Sequence, residues 1–210
     1  MRRTKIAVAI ILLAAVFLGV TGCANAKKLT RQDFISELES YGIPKTDQFN
    51  DIAAALSRNG GDNGYYIALD KEEAGKLSNS VLNRFNTKDE IKADDFVIAF
   101  VMEKGSKDKF SSSFVCYLTF DDSTKAEKAY KELVEMRGDE ENGKTGTQSG
   151  ISYCVSSAAS AAGKNKIGTG IYLQGNTVIF LRAQAASEDD YKFADTICGK
   201  FGLVSPSKAK

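Results

Sequence analysis

The N-terminal segment decides how much of the chain is left to fold. Arg2, Arg3 and Lys5 give a basic start, and residues 6–20 follow as an uncharged apolar run broken only by Gly19. At roughly fifteen residues this run matches a long signal-peptide core and falls short of the ~20 a spanning helix needs. Val20-Thr21-Gly22-Cys23 closes it. Thr21 and Gly22 are small enough to lie extended in a peptidase cleft, and Cys23 carries the only thiol nearby. Residues 1–22 therefore read as a cleaved secretory leader and are set aside from the fold. Removing them from 210 leaves 188, enough for one domain with its own core.

The tetrapeptide Val20-Thr21-Gly22-Cys23 resembles the lipobox of bacterial lipoproteins, an aliphatic and two small residues ahead of a cysteine. That resemblance implies a diacylglyceryl thioether on Cys23, cleavage between Gly22 and Cys23, and a chain tethered to the extracytoplasmic face of a membrane. Two or three acyl chains, at ~0.8 kcal/mol per buried methylene, anchor far more firmly than one. The expected organisation is a leader over 1–22, an anchor and short linker over 23–29, one α+β domain over 30–204 and a polar tail over 205–210. Lys27 and Lys28 are read as keeping the linker solvated, with attraction to anionic lipid at ~1 kcal/mol per charge as the alternative.

With the three leader cations removed, 25 basic residues face 27 acidic ones, a net side-chain charge of −2. No strong field of either sign exists, so nucleic acid is not an expected partner. Histidine is absent. Ser-His-Asp and Cys-His catalysis, imidazole relays and His-rich zinc sites are therefore excluded. No cofactor or metal is expected, and a metal site would have to be built from carboxylates.

Periodicity gives the elements. Thr30-Arg31-Gln32-Asp33 resembles a capping box ahead of a helix with Phe34, Ile35, Leu38 and Tyr41 inward, stopped by Gly42. A second helix with Phe49, Ile52, Ala53 and Leu56 at i, i+3, i+4, i+7 completes an N-terminal helical hairpin. Strands are predicted at 65–69, 96–102, 113–120, 151–156, 168–173 and 177–183. Asp70 caps a helix carrying Ala74, Leu77, Val81 and Phe85; Asp121-Asp122 opens one carrying Ala126, Ala129, Tyr130, Leu133 and Met136. Gly175-Asn176 reads as a type II′ hairpin turn, and Ser187 caps a last helix running to about Cys198. Residues 137–150 are expected to form a mobile loop, and residues beyond 204 a frayed end. The sheet is antiparallel or mixed with helices packed on it. From Tyr65 onward the chain order matches a ferredoxin-like βαββαβ unit with an added hairpin and helix.

Several motifs are weighed against chance. Gly138 to Thr145 spells GxxxxGK[ST], but a helix precedes and a strand follows, and Asp139, Glu140 and Glu141 would repel phosphate. Ser106-Lys107-Asp108-Lys109 and Lys144-Thr145-Gly146 echo elements of penicillin-binding enzymes, with Ser106 in a loop rather than opening a helix. The Ser/Ala-rich run from Ser156 towards Gly170 reads as a flexible connection, with a lid over Ser152 and Ser156 as the alternative. Asp121-Asp122 and Glu188-Asp189-Asp190 sit at helix starts, where capping explains them better than calcium. Tyr65, Tyr66, Tyr117, Tyr153 and Tyr172 fall in strands, where they either pack or line a face for sugar or peptide. Of the thiols, Cys116 and Cys198 are expected to face the core, and a bridge between them is conceivable across a helix–sheet contact. Cys154 is assigned to the face opposite Cys116, with faster alkylation. Three free thiols are favoured over a bridge.

The resulting functional reading is a non-catalytic extracytoplasmic module, binding an envelope protein, polymer or small solute through the sheet face or the 137–170 loops. The alternative is an envelope hydrolase using paired carboxylates or Ser–Lys chemistry. No catalytic residue is assigned, and Cys23 is the one site residue. Cys23→Ser should abolish incorporation of labelled palmitate and leave the full-length precursor, as read by metabolic labelling and electrophoresis. Labelling that survives the substitution would refute the anchor.

Overall fold

A computed structural model describes residues 28–47, 64–73, 93–104, 110–137, 143–159, 165–185 and 191–209. Its elements are α1 (Arg31–Ser40), β1 (Gly64–Leu69), β2 (Asp95–Lys104), β3 (Phe110–Thr119), α2 (Ser123–Arg137), β4 (Lys144–Gln148), β5 (Ile151–Ala159), β6 (Lys166–Gln174), β7 (Thr177–Ala185) and α3 (Lys192–Phe201), then a 3₁₀ turn (Pro206–Lys208). The seven strands form one sheet in the order β1-β2-β3-β7-β6-β5-β4, antiparallel at every step. The fold is α+β, as the strand and helix periods indicate. Two meanders, β1 to β3 and β4 to β7, meet at the β3–β7 ladder. Because β1 pairs with β2 at the edge, the interleaved strands of a ferredoxin-like unit are not formed.

Strand alternation divides the core in two. On one face Tyr66, Val97, Val115, Tyr117, Tyr172, Ile179 and Leu181 pack with α1 and α3. On the other, Ile67, Phe96, Ile98, Cys116, Leu118, Cys154, Ile171 and Phe180 pack with Ala126, Ala129 and Leu133 of α2. β2, apolar on both faces, is covered on both.

This two-sided burial corrects the thiol assignments. Cys116, Phe180, Ile171 and Cys154 occupy one transverse row of paired residues, so Cys116 and Cys154 share the α2 face. Cys198 lies on the other side of the sheet, on the buried face of α3. Apolar neighbours pointed Cys116 and Cys198 inward without telling two cores apart, and they wrongly left Cys154 on an outer face, where it is in fact buried. All three thiols are free and buried. Three strand spacings of about 4.8 Å separate Cys116 from Cys154, about 14 Å against a disulfide Cα limit near 7 Å. Burial pushes the Cys198 thiol up to about 12, and the Cys116 thiol is raised for the same reason.

The helices follow their caps. Thr30 Oγ1 accepts the Asp33 N–H at 3.1 Å, Asp70 Oδ1 accepts those of Glu72 and Glu73 at 3.1 Å, and Asp122 Oδ1 accepts that of Lys125 at 2.8 Å. The apolar residues expected on α1 and α2 are buried or packed against the core. α3 runs through Gly199 to Phe201 and ends on Gly202 at φ +67°, later than the first glycine suggested. Its N-cap Tyr191 makes no side-chain capping bond. Instead Glu103 at the end of β2 accepts the Phe193 N–H at 3.0 Å through one carboxylate oxygen and the Tyr41 hydroxyl through the other. One carboxylate thus joins β2, the end of α1 and the start of α3.

Other boundaries shift. β5 and β6 extend to Ala159 and Lys166, so much of the Ser/Ala-rich run is paired strand. Gly175 alone has positive φ in its turn, as type II′ requires. Residues 205–209 do not fray: Ser205, Pro206 and Ala209 are buried, and the Ser205 and Ser207 hydroxyls both donate to Asp195 Oδ1. The expected helix over Phe49 to Leu56, the apolar stripe from Ala74 to Phe85, and Ser187 lie outside the described residues.

Two outcomes follow from this packing. Native protein should leave all three thiols unmodified by an alkylating reagent, and three should titrate on unfolding; fast native alkylation of Cys154 would contradict its placement. Glu103→Ala should destabilise by roughly 2–3 kcal/mol in urea unfolding, since it removes two charge-assisted hydrogen bonds, while Glu103→Gln should cost about half as much.

Candidate functional site: the open edge of the sheet

The two edges of the sheet are finished differently. At β1, residues 44–46 lie alongside as a short parallel bridge: the Tyr66 N–H donates to Pro44 O at 3.0 Å and the Thr46 N–H to Tyr66 O at 2.8 Å. At β4, all five residues of Lys-Thr-Gly-Thr-Gln are exposed.

This strand falls in the charged, glycine-bearing stretch 137–150 expected to be a mobile loop, and it holds no apolar residue. Its turn builds it. Ser149 and Gly150 have φ of 50° and 75°, and two consecutive positive values make a type I′ turn, whose twist matches the flanking strands. The Ser-Gly dipeptide before the alternating Ile151, Tyr153 and Val155 was the available signal. The turn also fixes hydrogen-bonding parity. Gln148 and Ile151 flank it as a bonded pair, so alternation makes Gly146–Tyr153 and Lys144–Val155 the next bonded pairs. Thr145 and Thr147 then turn their backbone N–H and C=O groups outward. At Gly146 a Cβ would stand 2.7 Å from the Tyr153 hydroxyl, so the tyrosine ring lies across the bare glycine.

Among the described residues, the tyrosines on the sheet faces pack into the two cores. Tyr66, Tyr117, Tyr153 and Tyr172 share the face under α1 and α3, and Tyr65 points the other way. Three are buried, each with its hydroxyl fixed by a covering segment: Tyr66 to Glu39 Oε1 at 2.7 Å, Tyr117 to Leu29 O at 3.0 Å, Tyr172 to Val204 O at 2.7 Å. Burial, then the Glu39 carboxylate, pushes the Tyr66 phenol up to about 12, so it stays a donor at neutral pH. Tyr66, Tyr117 and Tyr172 are therefore not open to sugar or peptide. Tyr172 also covers Gly170, where a Cβ would meet its hydroxyl at 2.2 Å.

The remaining sequence candidates fall as follows. Lys144, Thr145 and Gly146 lie in β4, after a helix and in a strand, which is the wrong context for a phosphate loop. Asp121 pairs with Lys125 at 2.6 Å beside the Asp122 cap, and that lysine holds its carboxyl below the usual range. Ser156 is buried opposite Thr169, and Ser152 is half-buried between Thr147 and Leu173. Cys23, Ser106 to Lys109, residues 138–142 and Glu188 to Asp190 lie outside the described residues. Among the described residues no group of three His, Cys, Asp or Glu could hold a metal, and no helix is long and apolar enough to cross a membrane.

No known family profile matches the chain, and no curated protein matches it. Among solved structures it is similar to the extracellular domain of PknH from Mycobacterium tuberculosis. The TM-score is 0.45 and the identity 7%, over 85% of this chain and 99% of that one.

Proposed function

We propose that the chain is a lipid-anchored extracytoplasmic binding module, tethered through Cys23, that takes an extended segment of a partner protein along β4. The observation that carries the reading is the contrast between edges: β4 presents outward amides at Thr145 and Thr147 on a fully exposed strand, while β1 is bridged at Tyr66 by residues 44–46, and Tyr66, Tyr117 and Tyr172 are buried. An added strand would gain main-chain hydrogen bonds from those amides and contacts from the alternating side chains. The hydrolase alternative needs a serine or carboxylate free to act. Asp195, which Ser205 and Ser207 reach, is engaged in holding the C-terminal turn, and Glu103 in joining α1 to α3.

Thr147→Pro tests the edge directly. It deletes an outward N–H without touching the β4–β5 ladder, and proline is tolerated on edge strands. A photo-crosslinker at position 145 should capture the partner in cells expressing the parent or Thr147→Val. In Thr147→Pro, capture should fall about tenfold, the loss of roughly one hydrogen bond with added crowding. Unchanged capture with proline at 147 would refute β4 as the binding strand.

A further inference from the structure

Leu29 is locked to the sheet. Its N–H donates to Gln174 Oε1 at 2.7 Å, its carbonyl accepts from the Tyr117 hydroxyl at 3.0 Å, and its side chain is buried. Gln174 closes β6 at the Gly175–Asn176 turn, and Arg31 reaches Asp95, the first residue of β2, at 3.8 Å. The chain therefore joins the domain at one end of the strands. That end also holds the Ser149–Gly150 turn and the start of α2. The opposite end holds Ala159, Lys166 and Ala185 and the start of α3.

We propose that the domain stands on the membrane with its Gly175–Asn176 end down and its Lys166–Ala185 end outward, the pose being set by the short tether. This rests on the reading of Cys23 as the lipidated residue. Covalent geometry lets the six residues from Cys23 to Leu29 span at most about 20 Å. β6 has nine residues and is about 30 Å long. An inverted domain would lift Leu29 a strand length above the bilayer, farther than the linker reaches. Undocking Leu29 to gain length would expose its side chain and break both hydrogen bonds. Among the described residues at this end, Lys71 and Lys125 are engaged by Asp94 at 2.7 Å and Asp121 at 2.6 Å, which leaves exposed Lys28 on the tether itself, beside Leu29.

The test uses acylated full-length protein in phosphatidylcholine–phosphatidylglycerol vesicles carrying an acceptor lipid. A donor dye is placed by Thr124→Cys or by Gln184→Cys, both exposed, on the same side of the sheet at opposite ends. Energy transfer from position 124 should exceed that from 184 by more than about twofold, given a strand length of separation. Equal transfer, or more from 184, in acylated protein would overturn the pose alone. A Gly/Ser insert of roughly a dozen residues between Lys27 and Lys28 should bring the two signals together, and a gap that persists would remove the tether as its cause. Absence of acyl groups by intact mass would bring down the anchor reading, and the pose with it.

Discussion

The β3–β7 ladder is the joint on which the molecule depends. Every other strand pair is local in the chain: hairpins join β4 to β5 and β6 to β7, and β1, β2 and β3 pair in sequence order. Only the pairing of Ser112 through Thr119 with Thr177 through Gln184 brings the two meanders together. All of α2 and three strands lie between those segments, so closing the ladder carries the main loop-closure cost of folding. Its residues repay that cost twice. Cys116, Leu118, Val178 and Phe180 pack under α2, while Val115, Tyr117, Ile179 and Leu181 pack under α1 and α3. A sheet buried on both faces cannot slip by one residue without exchanging its two cores, so register is fixed by packing as well as by turns.

The layer over the tyrosine face is held by polar pins as well as apolar contact. Tyr66, Tyr117 and Tyr172 stand in three different strands, and their hydroxyls reach α1, the incoming chain at Leu29 and the outgoing chain at Val204. Both ends of the described chain are thereby fastened to the sheet. A phenol suits this role because its ring fills the apolar layer while its hydroxyl, which burial would otherwise leave unpaired, reaches a carbonyl or carboxylate of the covering segment. Glu103 does the same for a helix terminus, supplying from β2 the acceptor that Tyr191 does not.

Periodicity made most of this scaffold legible. Phe34, Ile35 and Leu38, the α2 stripe and the alternation in β2, β3 and β7 all resolve into buried faces. What escaped has a common cause. β4 carries no hydrophobic signal because neither side of it is buried, so only its turn could reveal it. Glu103 and Asp195 act on partners remote in sequence or on a tail whose composition reads as solvent-facing. The cysteine faces were misjudged because "inward" has two meanings in a three-layer fold. The candidate site was partly legible for the wrong reason: Lys144-Thr145-Gly146 drew notice as a fragment of two catalytic spellings, whereas the structure shows an exposed edge strand whose outward backbone groups no spelling records.

The open edge and the short tether bear on one another. Taken alone, β4 is well matched to a second copy of itself. Antiparallel pairing centred on Gly146 would set Thr145 against Thr147 twice and Lys144 against Gln148, with no like charges opposed. Exposed edges of this kind ordinarily need blunting, and a single lysine on five residues is a modest defence. Yet that pairing relates two domains by a two-fold axis perpendicular to the sheet, which inverts one of them end for end. Two copies held upright on one membrane cannot meet that way. Under the proposed pose, anchoring at Leu29 therefore protects the edge from self-association while leaving it open to an extended chain that approaches free of the same tether.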